Sequence, residues 1–197
     1  MASCLRICLE CIQGPSYFNN PTRLQELPQV SMDTEHMGHE VVIVKNGRRV
    51  CGSGGALANA PLVQNKSYFE VKIQQSGVWG VGVATRKTDI NKVPLGQDED
   101  SWVLRDDGKL FHAGKLLQSL NKTVEEGDVI GITYDHVELC FFLNGEPLNV
   151  SFSGIKGTSV FPVVYVDDGA ILDVNFTDFI HRPPDGFDKI MLEQTLL

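Results

Sequence analysis

The chain has 197 residues, 42 % hydrophobic and 21 % charged, enough apolar material for one core of domain size and too little charge for disorder. A net charge of −8 excludes the basic footprint of nonspecific nucleic-acid binding, and no apolar run approaches the roughly 20 residues of a membrane span. The 5 cysteines, an odd number, exclude a closed disulfide framework, so the expected compartment is the cytosol.

Residues 1–28 are expected to form an N-terminal cysteine-bearing segment and linker. In MASCLRICLECIQG, Cys4, Cys8 and Cys11 recur at i, i+4 and i+7. That spacing predicts one face of a short helix over residues 3–12, with Leu5, Leu9 and Ile12 alongside. Two readings stand. The helix packs its apolar side on the rest of the domain, with cysteine acting as a small hydrophobe. Alternatively the thiols carry reversible palmitate and attach the chain to a membrane periphery. Three thiols are one short of a tetrahedral zinc site. Ala2 after Met1 excludes myristoylation, and Glu10 with no small-residue cleavage site argues against a secretory signal. GPSYFNNPTRLQELPQ, polar with three prolines, reads as the linker.

Beyond it the chain is punctuated by turn dipeptides. Asn46-Gly47, Ser76-Gly77, Asp107-Gly108 and Asn144-Gly145 each follow an apolar run and supply the φ > 0 positions of tight hairpins. In SYFEVKI, Phe69, Val71 and Ile73 alternate with Glu70 and Lys72. In VWGVGVA, Trp79, Val81 and Val83 alternate with Gly80 and Gly82. A period of two marks half-buried strands. DVIGITYD, VELCFFLN, VFPVVYVD and AILDVNF continue the series, giving about a dozen strands and an antiparallel sandwich or barrel. Cys51 and Cys140, in such runs, are expected as core thiols.

RRVCGSGGALANAP, residues 48–61, holds Gly52, Gly54 and Gly55. It lacks the third glycine of a dinucleotide fingerprint, the Gly-Lys-Ser/Thr of a phosphate loop and the glycine at position 51 that a nucleophile elbow on Ser53 requires. The glycines therefore read as bends or a close approach between strands. His36 and His39 have no completing zinc spacing, and no nucleophile–base pair stands out, so neither metal, cofactor nor catalysis is expected.

The loop ATRKTDINKVPLGQDEDSW is long for a hairpin connection. Arg86 and Lys87 precede apolar Ile90, Val93 and Leu95, then Asp98, Glu99 and Asp100. This mixture suits a partner peptide. The competing reading makes Ile90, Val93 and Leu95 a local core over the sandwich. The acidic runs, which also include Asp106, Asp107, Asp167 and Asp168, read as a solvated surface or as a rim that steers a basic partner.

Several of these runs, in order, resemble the SPRY domain, the core of the B30.2 family: NKSYFEVKI, GVWGVGVAT, EGDVIGITYD, VELCFFLNGEPL, VFPVVYV and DVNF. The resemblance covers about residues 29–187, most of the chain, leaving 188–197 as a tail packing on or trailing the sandwich. It implies an all-β, bent antiparallel β-sandwich of the concanavalin A-like jelly-roll type. It further implies a non-enzymatic module that binds a protein or peptide through loops at one end; the chain itself is expected to be a monomer. Laid onto this chain, the binding elements of a peptide-holding branch of the family fall at Arg48 and Arg49, at Asn91, Pro94 and Leu95, and at Val166, Asp167 and Asp168. That branch's Tyr and Trp are replaced here by Asn91 and Asp167 or Asp168, so its Asn-containing peptide is not the expected ligand. Only SMDTEHMG resembles the extended PRY segment, and no stretch suggests a ubiquitin-ligase module. The alternative reading is a lectin-like, carbohydrate-binding sandwich. It needs an exposed aromatic platform, and Trp79 and Trp102 lie in strand patterns that suggest core.

Overall fold

The computed structural model describes residues 29–155 and 159–192, and the helix expected over residues 3–12 lies outside them. The described residues form strands and loops and contain no helix. The strands are β1 (Met32–Met37), β2 (Glu40–Val44), β3 (Arg49–Ala58), β4 (Ser67–Gln75), β5 (Val78–Ala84), β6 (Ser101–Arg105) and β7 (Lys109–His112). They continue with β8 (Lys115–Ser119), β9 (Val129–Tyr134), β10 (Glu138–Leu143), β11 (Glu146–Ser153), β12 (Phe161–Asp167), β13 (Ile171–Asn175) and β14 (Asp188–Lys189).

Two layers are built from these strands, and β3 belongs to both. Its second half pairs with β1 and β12, and the first sheet runs β1-β3-β12-β5-β6-β7-β8. Its first half pairs with β2 and β13, and the second sheet runs β2-β3-β13-β4-β9-β10-β11. All these pairings are antiparallel; only β14 joins in parallel, beside the start of β4. The glycines of RRVCGSGGALANAP are the fold between the layers. Gly52 has φ +98° and Gly54 φ +129°, in the region that L side chains avoid. A Cβ on Gly52 would also stand 2.1 Å from the Glu40 carbonyl oxygen, so a side chain there is excluded twice. The fold returns the chain on itself, and the Met32 N–H, at the far end of β3's partner, donates to the Gly47 carbonyl at 2.8 Å.

The period-two pattern fixes what faces inward. Val81, Val83, Leu104 and Val164 from the first sheet meet Val71, Ile73, Ile130, Ile132 and Leu172 from the second in one core. Trp79 and Trp102 are in it, 3 % and 9 % exposed, so neither offers a sugar a stacking platform. Cys51 and Cys140 do not enter the core. Their neighbours Val50, Leu139 and Phe141 point inward, and alternation turns the two thiols to the outer face of the second sheet, half-buried. Burial and the neighbouring Glu138 push the Cys140 thiol up to about 11, so it stays protonated at neutral pH.

Candidate functional site

The first sheet has a second apolar face, turned away from the core. Leu57, Val103, Val163 and Tyr165 line it, and residues 85–100 lie across it as a flap. Ile90, Val93 and Leu95 form the underside of this flap. Leu95 is 2 % exposed. The long loop is thus a cover with a buried lining, and the local-core reading of these three residues holds. The backbone ties it down: Gly55 N–H donates to the Ile90 carbonyl at 2.7 Å, and Ala113 N–H donates to the Asp98 carbonyl at 2.8 Å.

One buried cation pins the flap from beneath. Arg105, 8 % exposed, stacks its guanidinium 3.7 Å over the Phe111 ring and donates from Nε to the Leu95 carbonyl at 3.1 Å, with Nη2 donating to the same oxygen. Burial holds its pKa below the usual guanidinium value. Beside it, burial pushes the Tyr165 phenol above its ordinary range, and its hydroxyl has no partner among the described residues.

The acidic run at the flap's end is structural as well as solvated. Asp98 Oδ1 accepts from Ser101 Oγ at 2.6 Å, and Asp100 Oδ1 accepts from Thr85 Oγ1 at 2.6 Å. The Thr85–Asp100 bond closes the two ends of the flap together, and the Asp98–Ser101 bond holds the turn at its far end. The sequence showed the acids but not this use of them.

The site residues named from sequence separate into distinct places. Arg86 lies over the Phe161 ring at 4.5 Å, against His36, with Asp33 3.9 Å away. Asn91 is exposed and its Oδ1 accepts from the His39 N–H at 2.9 Å, tying the flap tip to the β1–β2 corner. Pro94 is exposed on the flap's outer side. There Asp89, Lys92, Val93, Pro94, Leu95, Gln97 and Asp98 line a depression of about 270 Å³. Leu95 and Val166 are interior, 2 % and 0 % exposed, and of the two only Leu95 reaches the lining of that depression. Asp167 and exposed Asp168 form the turn after β12, beside the start of β5. Arg48 and Arg49 face the second sheet instead. Arg49 donates from Nε to Asp173 Oδ1 at 2.5 Å and from Nη2 to Oδ2 at 2.7 Å, and Arg48 reaches Asp178 at 3.3 Å. Burial raises the Asp173 carboxyl, but bonds from Arg49 and Lys45 outweigh it and hold the pKa below the ordinary value.

A second irregular segment, residues 176–187, straps the outer face of the second sheet. Its anchor is Glu70, fully buried, whose carboxylate accepts from the Ile180 N–H at 2.7 Å, the His181 N–H at 2.8 Å and the Tyr68 hydroxyl at 2.9 Å. Phe179 meets Tyr68 edge to face at 4.8 Å. From alternation alone Glu70 belongs to a solvated face, so its anchoring role had no signal in the strand pattern.

This architecture agrees with what the chain is similar to. The SPRY domain family model matches residues 66–179. The chain belongs to the SPRY domain family. It is 55 % identical over 198 residues to SPRY domain-containing protein 7 of Homo sapiens, covering 100 % of both chains. It is 33 % identical over 116 residues to Ran-binding protein 9 of Xenopus laevis, a match that takes 55 % of this chain and only 21 % of that protein. Among solved structures, the SPRY domain of human HERC1 superposes with a TM-score of 0.61 at 20 % identity, covering 74 % of this chain and 97 % of that one, a likeness of fold alone. SPRY domains are commonly protein-interaction modules.

Proposed function

We propose that this SPRY domain is a non-catalytic interaction module that captures a protein or peptide segment on the outer side of the flap. The observation that carries this reading is the flap's division of labour. Ile90, Val93 and Leu95 fix it to the first sheet from below, while Lys92, Pro94 and Gln97, together with Val93 and Leu95, line an outward depression beside Asp89 and Asp98. A loop held this way presents polar and apolar groups that need little further ordering on binding. Arg86 and Asn91 extend the surface toward the β1–β2 corner. Two carboxylates at the depression and a net charge of −8 favour a partner segment with basic side chains around an apolar centre.

The test compares proximity-labelled partners of the wild-type chain with those of a Lys92→Glu/Gln97→Lys double variant, both positions being exposed. The variant is expected to keep its melting temperature and lose the specific partners. Retention of the same partner set by a folded variant would refute a flap-centred surface.

A further inference from the structure

The chain has two Asn-Gly dipeptides, Asn46-Gly47 between β2 and β3 and Asn144-Gly145 between β10 and β11. Both asparagines are exposed, and both are left-handed, Asn46 at φ +54° and Asn144 at φ +52°. Asparagine before glycine is chemically labile, because glycine has no side chain to shield its backbone nitrogen from the asparagine Cγ. The two differ in what holds them. Asn144 is clamped: its Oδ1 accepts from the Val129 N–H at 2.9 Å, and its Nδ2 donates to Asp128 Oδ1 at 2.8 Å. Both ends of the amide are engaged, so the rotation that brings Cγ to the Gly145 nitrogen breaks both bonds. In the other turn the backbone is held by Arg48 N–H donating to the Val44 carbonyl at 3.1 Å and Met32 N–H donating to the Gly47 carbonyl at 2.8 Å. Among the described residues no hydrogen bond involves the Asn46 side chain or the Gly47 N–H. That turn is also the more strained. Lys45, Asn46 and Gly47 are left-handed in succession, at φ +52°, +54° and +79°. Asparagine and glycine tolerate this region and lysine does not, so loosening the turn relieves Lys45.

We propose that Asn46 is a site of spontaneous deamidation, and that the fold protects Asn144 from the same reaction. The Gly47 nitrogen attacks Cγ of Asn46. A carbon–nitrogen bond forms and closes a succinimide ring. The bond from Cγ to the side-chain nitrogen breaks, and that nitrogen leaves as ammonia with the proton of the Gly47 N–H. Water then opens the ring at either carbonyl, its hydroxyl staying on carbon and its proton returning to the Gly47 nitrogen. Opening at the main-chain carbonyl gives aspartate. Opening at Cγ leaves that carbon as the carboxylate's replacement in neither case: the ring carbonyl that water takes becomes the carboxylate, and where it is the main-chain one the backbone runs on through Cγ as isoaspartate, one methylene longer. Nothing is oxidised or reduced, and water is the only co-reactant. Either product adds one negative charge to a chain of −8. The new carboxylate arises between Lys45 and Arg48, which reach Asp173 and Asp178 at 3.3 Å each, and competes with those acids for them. The modification loosens the ties that run from this turn to β13 and to the strap. It is independent of the docking surface on the flap.

The test ages the purified full chain in mildly alkaline buffer and follows the peptides spanning the two turns by mass spectrometry, with aspartate and isoaspartate separated. Asn46 is expected to convert about tenfold faster than Asn144, the difference made by the two hydrogen bonds that Asn144 must break. In denaturant the clamp is gone, and the two rates converge. Asp128→Ala removes one of the partners of Asn144 and speeds its conversion while leaving Asn46 unchanged; melting curves confirm that this variant is folded. The aged wild-type chain focuses at a more acidic position, and Asn46→Ser removes most of that shift. Equal rates at the two asparagines of the folded chain, or faster conversion at Asn144, overturns the proposal. So does an Asn46 that stays intact in the folded chain under conditions where the denatured chain converts it.

Discussion

The flap on the first sheet and the strap on the second are both irregular segments lying on the outer face of a β-sheet, and each is held by one buried ion. Arg105 reaches up to a single carbonyl, that of Leu95. Glu70 receives two backbone N–H groups and a phenol. The difference follows from what an irregular backbone leaves unpaired. A cation can satisfy only carbonyls and a carboxylate only N–H groups, so each ion selects the local conformation it stabilises. The carboxylate is the better satisfied, because its acceptor sites are filled by neighbours. The guanidinium relies on one oxygen and the face of Phe111. The strap is therefore the more firmly fixed cover, and the flap the one with a softer attachment and a large apolar lining.

The sharpest test of this ranking is Glu70→Ala. It removes the acceptor of two part-buried N–H groups and of the buried Tyr68 hydroxyl, and the expected loss is about 4 kcal/mol in denaturant unfolding. Hydrogen exchange should rise in residues 176–187 and leave the flap unchanged. Next, Leu95→Ala opens a void under the flap and should cost about 3 kcal/mol. Arg105→Met keeps the stem on Phe111 but abandons the Leu95 carbonyl, for a loss of about 2 kcal/mol with exchange rising in residues 85–100 only. If Arg105→Met costs more than Glu70→Ala, the ranking of the two covers is reversed.

The smallest expected effects come from one carboxyl on each sheet, which titrate in opposite senses. Asp173 on the second sheet is held below the ordinary 3.8 in the folded chain. Its stabilising contribution is complete above 3.8 and disappears as pH falls through the lower folded value. Asp106 on the first sheet is raised above 3.8, first by burial. It costs stability at neutral pH, and that cost is relieved as pH falls through its folded value toward 3.8. Asp106→Asn is accordingly expected to stabilise at pH 7 by about 0.5 kcal/mol, and Asp173→Asn to destabilise there while flattening the acid limb of the stability profile. Unfolding free energies measured from pH 3 to 7 check both signs.

The alternation of Phe69, Val71 and Ile73, and of Trp79, Val81 and Val83, made the strands and the inward faces legible, because a period of two is written directly in side-chain polarity. The same rule misled where an outer face is itself covered. Glu70 occupies a position that alternation assigns to water, and only the later strap, 110 residues on in sequence, removes it from solvent. Leu95 was readable as docking residue or as lining, since hydrophobicity alone does not say which side of a loop meets the sheet. Arg48 and Arg49 fell at the family's binding position in sequence, yet their side chains are engaged by Asp178 and Asp173, partners that no local pattern announces. Gly52 and Gly54 were legible as a bend, but not as the place where one strand passes between layers.

That passage has a consequence for how the molecule comes apart. Because β3 lends its first half to one layer and its second half to the other, neither layer can be peeled away while its companion stays whole. Loss of either half strips an internal neighbour from the remaining strands, so unfolding is expected to be all-or-none, with calorimetric and van't Hoff enthalpies equal. A chain cut within residues 52–54 would release both layers at once.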